Sequence, residues 1–292
     1  MATVYGSVAE VTTVGPRIRR VVFDVPRLAG LNLPGGGDEA LGIYFPAAGA
    51  SSPPPMQFRD GEWDYLDEAD TPEGRNYTVR RRGPAPHQVT CDFVLHQRGV
   101  ASDWVRRVEV GEQVVLDHAR SWYRPEPTTR WQLLIADLSG LPALGRILDE
   151  LPDEADVSAI VEVADEADLD YLPVRSGLSL VTSIGTGNGH APSRLTELAI
   201  AHEHSDGRGY CWFAGEAQAT RAVRKHLRRD HGWVPDQYDI VGYWRFDSET
   251  WDRRYEAVSD EMEAVYARAL ADGKGDKIAS EEYDEALEGV GL

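Results

Sequence analysis

Lysine is almost missing from this chain: there are three, Lys225, Lys274 and Lys277, so nearly all of the 30 basic side chains are arginines. Asp and Glu outnumber them at 49, giving a formal charge of −19 and a pI near 4.8. A surface short of positive charge repels nucleic-acid phosphates and anionic lipid, which disfavours both as partners. The arginines that remain suit planar, bidentate contacts to carboxylate or phosphate. Cysteine is equally scarce. Cys91 and Cys211 lie far apart, without a CxxC neighbour, in stretches that read as strands; they are read as buried small hydrophobes, not as a disulfide or metal site. Nowhere do 18 apolar residues run together, and the opening MATVYGSVAEV has no basic segment followed by an apolar one. A cytoplasmic protein without a membrane span, and a monomer, is the expectation.

Hydrophobic residues at 42% and charged residues at 27% of 292 mark a folded chain, with room for two domains of about 120 to 150 residues each. Over residues 1–125 the signals are β-type: VAEVTTV, RIRRVVFDV, LGIYFP, YTVR, QVTCDFVLH and QVVLD, separated by Gly, Pro and charge. They predict an antiparallel β-barrel. Ala47 to Glu73, with AAGASSPPP and an acidic run, reads as an insertion or long loop, because three successive prolines cannot sit in a central strand. Over residues 126–246 strands (WQLLIA, VSAIVEVA, LSLVTSI, YCWFAG, YDIVGYW) alternate with helices, the first ending at Pro152. SRLTELAIAHEH and EAQATRAVRKHLRRDHG are the other two helices, and the whole predicts an α/β domain with largely parallel pairing. Residues 247–292 read as an acidic helical extension, with fourteen Asp/Glu against five Arg/Lys and a stripe of Trp251, Tyr255, Val258, Met262, Tyr266 and Leu270. Such a stripe predicts docking onto the body of the chain or a partner.

Two stretches could carry chemistry. Arg75 to Arg82 places four arginines, a tyrosine and a threonine on one strand; the strand period puts Thr78 and Arg80 on one face and Tyr77 and Val79 on the other. A planar ring ligand wants an aromatic wall and a hydroxyl, and its phosphate tail wants arginine; an edge strand kept soluble by charge would read the same way. From Cys91 to Trp104 a strand ends at His96 and a helix begins near Ala101 and Ser102, where free N–H groups could meet a pyrophosphate. Gly185 to Pro192 resembles a phosphate loop without the strict G-x-G-x-x-G spacing and is read as a flexible loop. His202 and His204 are read as a solvated helix end and not as metal ligands. The cluster Arg221, Arg224, Lys225, His226, Arg228 and Arg229 is too dense for one helix face, so most of it is read as solvated, with Arg221 and Arg224 flanking a pocket at the sheet edge.

Taken in order, R-x-Y-T-x-R, D-F-V-L-H-x-x-G-x-A-S-x-W, L-P-A-L-x-R-I-L-x-E-L-P, W-F-A-G-E and G-Y-W-R resemble the siderophore-interacting protein family over residues 4–246. That family comprises flavin-dependent ferric-siderophore reductases of the ferredoxin-reductase-like superfamily. The resemblance implies an FAD-binding barrel, an NAD(P)H-binding-like α/β domain and, as donor, NAD(P)H or ferredoxin. It places Arg75, Tyr77, Thr78 and Arg80 along the flavin strand, and Asp92, His96, Ala101 and Ser102 around the FAD diphosphate. Asp137 and Ser139 fall at the nucleotide turn and Arg245 toward the acceptor, and Arg221, from its place at the sheet edge, is read as a second substrate-binding arginine. No metal ligands are implied. The sequence departs from the family at Leu138, where an acidic residue is expected, at Val100 for Pro, and at Gly42 for a lysine. Three readings follow: a ferric-siderophore reductase, a flavin reductase of the same fold with another acceptor, and a non-catalytic flavin-binding module.

Overall fold

The computed structural model describes residues 3–59, 62–66, 72, 74–83, 85–96 and 99–292. Eight strands occupy the first part: β1 (Val4–Gly15), β2 (Ile18–Asp24), β3 (Ala40–Tyr44), β4 (Met56–Arg59), β5 (Glu62–Tyr65), β6 (Gly74–Arg82), β7 (Gln88–Val94) and β8 (Gln113–Arg120). Six of them close a barrel in the order β1-β2-β7-β6-β3-β8, every pair antiparallel. These are the six strands expected from sequence. The segment after Ala47 contributes β4 and β5, a two-stranded sheet of its own; the parts of that segment at 60–61, 67–71 and 73 lie outside the described residues.

Alternation explains the barrel. In β1, Val4, Gly6 and Val8 turn inward and their neighbours outward. Helix α1 (Val100–Arg107) caps the core with Trp104, whose ring lies 4.9 Å from Phe45 and 5.7 Å from Phe93. Nearly all of β7 is buried, because its outer face is covered as well: Val94 and Ile18 belong to the core of the second domain.

That domain runs β9 (Trp131–Ala136), α2 (Leu141–Glu150), β10 (Asp156–Val163), β11 (Ser179–Ile184), α3 (Leu195–Ala201), β12 (Gly209–Glu216), α4 (Ala217–Arg229) and β13 (Tyr238–Trp244). The sheet is parallel throughout, in the order β11-β10-β9-β12-β13. Central β9 is buried at every position, as a continuous apolar run covered on both faces must be. The order reverses between β9 and β12, which makes the crevice beyond their carboxyl ends the place where such sheets bind ligands. Helix α3 is shorter than its sequence pattern suggests, ending where His202 turns extended.

The two domains meet along a polar seam. Arg17 chelates Asp168 at 3.0 Å, Arg20 pairs with Asp92 at 2.7 Å, and the Tyr171 hydroxyl donates to Asp92. Arg146 of α2 donates to the Val79 carbonyl of β6 at 2.6 Å. Asp38, fully buried before β3, accepts from Ser121, from the Trp122 and Tyr123 amides, and from Trp212 Nε1 of β12.

Beyond β13 come α5 (Ser248–Glu256), α6 (Ser259–Ala271) and α7 (Asp276–Gly289). The single apolar stripe read from the sequence is divided. Met262 is buried with Leu287 and Leu292, whereas Leu270 is 42% exposed, because the chain turns at Gly273 and Gly275, both at positive φ, and brings α7 back along α4. There Arg224 pairs with Asp284 at 2.7 Å, Arg228 with Glu285 at 2.9 Å and Glu281 at 3.2 Å, and Lys225 with Glu288.

Candidate functional site

β6 carries the strand read as flavin-binding. Its register sets Tyr77 opposite Leu41 and Thr78 opposite Ala40. Val79 is in the barrel core; Tyr77, half-buried, closes the barrel beside Phe93, ring centroids 4.2 Å apart, and Phe45, at 6.2 Å. Burial raises the pKa of its phenol. Thr78, on the opposite face as the strand period requires, is buried and faces the second domain, where Tyr243 of β13 approaches it. The buried Tyr243 hydroxyl has no hydrogen-bond partner in the protein. Arg75 is exposed at the outer end of this strand.

The turn from β7 into α1 lies alongside. Gly99 enters the helix at φ +128°, a conformation that favours glycine, and a side chain there would meet open space. Ser102 and Ala101 are buried, and the Ser102 hydroxyl accepts from the His96 amide at 2.9 Å. Ser102 therefore fixes the turn. Arg106 donates to the His96 carbonyl.

At the crevice beyond β9, Asp137 caps a short 3-10 turn: Oδ1 accepts from the Ser139 amide at 2.8 Å and from its hydroxyl at 2.5 Å, while Oδ2 accepts from Trp244 Nε1 at 2.6 Å. Burial raises the pKa of this carboxyl. The Gly185–Pro192 loop, read as flexible, is built on a buried carboxylate instead. Glu162 accepts from Thr186 at 2.8 Å and from the Arg194 amide at 2.7 Å, and a Cβ on Gly187, at φ +59°, would stand 1.7 Å from Glu162 Oε2. Asn188 Oδ1 accepts from the Leu138 amide at 2.9 Å and ties this loop to the Asp137 turn.

Other residues singled out from the sequence stand elsewhere. Arg80 and Asp92 belong to the seam: Arg80 reaches Asp149 at 2.5 Å and Tyr171 at 3.1 Å, and both carboxylate oxygens of Asp92 are engaged by Arg20 and Tyr171. Arg221, 7% exposed, donates to the Leu292 carbonyl of the extension. Arg245 stacks on Trp251, its guanidinium carbon 4.0 Å from the ring centroid. Tyr243 and Trp244 were not singled out, although the G-Y-W-R motif contains them.

An antiparallel barrel followed by this five-stranded parallel sheet is the two-domain fold seen in ferredoxin reductases. Residues 7–120 match the siderophore-interacting FAD-binding domain and residues 129–247 the siderophore-interacting protein domain, and the chain belongs to the siderophore-interacting protein family. An uncharacterised protein of Mycobacterium tuberculosis is 32% identical over 196 residues, 62% of this chain and 68% of that one. The NADPH-dependent ferric-chelate reductase of Escherichia coli is 26% identical over 242 residues, 82% of this chain and 91% of the relative. The crystal structure of a siderophore utilization protein from T. fusca superposes with a TM-score of 0.73 at 28% identity, covering 84% of this chain and 94% of that one.

The residues present fit FAD. The half-buried Tyr77 ring offers an aromatic wall, and Thr78 with the unpartnered Tyr243 hydroxyl offers polar contacts where the two domains meet. Both cysteines are free and buried, as expected. No helix among the described residues is long and apolar enough to cross a membrane.

Proposed function

We propose that this chain is an FAD-dependent reductase that passes electrons from NAD(P)H, or from reduced ferredoxin, to a ferric siderophore. The observation that carries the reading is the continuity of the two family domains over residues 7–247, with Thr78 of the barrel meeting Tyr243 of the second domain at their junction. Bound FAD supplies the conversion between two-electron donors and a one-electron acceptor such as Fe(III). The chain's own part is placement. Tyr77 provides the wall for a planar ring, Thr78 and Tyr243 provide hydroxyls from both domains, and Ser102 holds the His96 amide at the end of β7 beside α1. The Asp137 turn and the Glu162-based loop shape the crevice at the sheet switch point, where a pyridine nucleotide docks. Reduced iron is held less firmly by a hard-oxygen chelator, so release needs no cleavage of the siderophore.

A second reading has its own observation. Position 42 carries glycine and no cation, a Cβ there would stand 2.5 Å from Asp117 Oδ1 and require that side chain to move, and Arg221 and Arg245 are held by the C-terminal extension. This favours an acceptor carrying less negative charge than a polyanionic ferric siderophore. Anaerobic photometric titration of the flavin with NADH, NADPH and reduced ferredoxin, followed by ferric chelates and then other acceptors, tests both readings. Donor bleaching with rapid ferric turnover supports the first; bleaching with turnover only on other acceptors supports the second. A protein that stays colourless after reconstitution overturns both.

A further inference from the structure

Eight histidines are present, and four of them gather far from the flavin site. His202 and His204 precede β12, His226 is in the last turn of α4, and His231 follows that helix. Ring centroids run 5.9 Å from His202 to His204, 4.4 Å on to His231 and 4.7 Å on to His226. The place is the amino-terminal edge of the parallel sheet, since His204 also packs on Trp131, the first residue of β9, at 5.1 Å. Asp137 and Glu216 lie at the carboxyl edge.

The arrangement has the chemistry of a ligand set. His226 Nδ1 lies 2.7 Å from an Asp230 carboxylate oxygen, which places the proton on Nδ1 and leaves the Nε2 lone pair outward. That Nε2 faces His231 Nε2 at 3.1 Å. Two nitrogens on one zinc ion stand roughly 2.9 to 3.4 Å apart, the span from a right angle to a tetrahedral angle at ordinary Zn–N lengths. His204 Nε2, beside them, is buried without a hydrogen-bond partner. Among the described residues no three such side chains already enclose a common point; the pair is preset, and the third imidazole, His204, lies beside it with its ring centroid 4.4 Å from that of His231.

We propose that His226 and His231, completed by His204 and oriented by Asp230, bind a divalent first-row transition ion that prefers imidazole nitrogen. Zn2+, Ni2+ and Cu2+ have that preference, whereas Mg2+ and Ca2+ favour oxygen. The ion joins the segment before β12 to the end of α4 in the second domain, so binding stabilises that domain.

The test uses the full chain without a histidine tag, stripped with a chelator and saturated with FAD. Calorimetric titration with ZnCl2 is expected to show one equivalent bound, with a matching change in the emission of Trp131 and Trp233, which both pack on His204. His226→Gln and His231→Gln should each weaken binding by about tenfold or more, and Asp230→Asn by about tenfold, the usual effect of removing a residue that orients a ligand. His118→Gln, on β8, should bind as wild type. On unaltered protein, Co2+ should give a visible absorption band that one equivalent of Zn2+ abolishes. Absence of that band, absence of saturable zinc binding, or a His226→Gln/His231→Gln double variant binding as tightly as wild type overturns the proposal.

Discussion

Tyr77 shows what a single strand position can and cannot disclose. The two-residue period alone put it on the same face as Val79, and the structure finds both turned to the barrel core. Since the ring supplies the wall proposed for the flavin, Tyr77→Ala should weaken FAD binding about tenfold, while Tyr77→Phe retains most of it. Flavin fluorescence titration of the two variants measures this; equal losses would show that the hydroxyl matters instead. Asp137 carries a different expectation. Its folded pKa lies above the ordinary value of 3.8 because the carboxyl is buried. Below that value the group is neutral in both states. As pH rises the unfolded chain ionises first, and stability falls until the raised folded value is passed. Wild type should therefore lose stability relative to Asp137→Asn as pH is raised from below 4, read as urea midpoints across a pH series; a flat difference would show that burial does not raise this carboxyl. At this scale the sequence pattern failed wherever partners were distant. Nothing near Arg80 or Asp92 in the sequence announces Asp149 and Tyr171, which lie in another domain.

Among elements, α4 and α7 show why a dense charge cluster was misread. Arg221, Arg224 and Arg228 recur at helical spacing, and so do Glu281, Asp284, Glu285 and Glu288, yet neither stripe alone says that the two pair. Arg221 and Arg224, read as flanking a pocket, are covered by the acidic extension, whereas Arg228 and Arg229 stay exposed. Asp284 faces both Arg221, at 3.8 Å, and Arg224, at 2.7 Å. Asp284→Asn should cost about 0.5 to 1 kcal/mol of docking, since the site is only partly exposed to water. Hydrogen exchange of α7 amides should accelerate in that variant and, for wild type, in high salt, which screens the exposed pairs. Unchanged exchange in both would show that these ion pairs do not hold α7 in place. The barrel and sheet strands were legible because each alternates or runs apolar for a local reason. The division of the tail into three helices was less so, for the break between α5 and α6 at Ala257 and Val258 falls inside a stripe that helical spacing alone continues.

For the whole molecule, the polar seam makes the barrel and the α/β domain a single cooperative unit. Asp168 is 1% exposed and pairs with Arg17 across that seam, and Tyr171 bridges Asp92 and Arg80. FAD-free protein should unfold in one calorimetric transition. Arg17→Ala combined with Tyr171→Phe, which leaves two buried carboxylates short of donors at about 1 to 3 kcal/mol each, should broaden or divide it. Two transitions in the wild type would show that the seam does not couple the domains.

The scarcity of lysine acquires a use from where the three fall. Lys225 pairs with Glu288, Lys274 with Glu282, and Lys277 with Asp239 and the Tyr238 carbonyl. Two of them thus hold α7 to the α/β domain, and the third braces α7 at its own start. A lysine-specific protease consequently has no cleavage site in the barrel, and its rate of reaction becomes a clock for undocking of the extension.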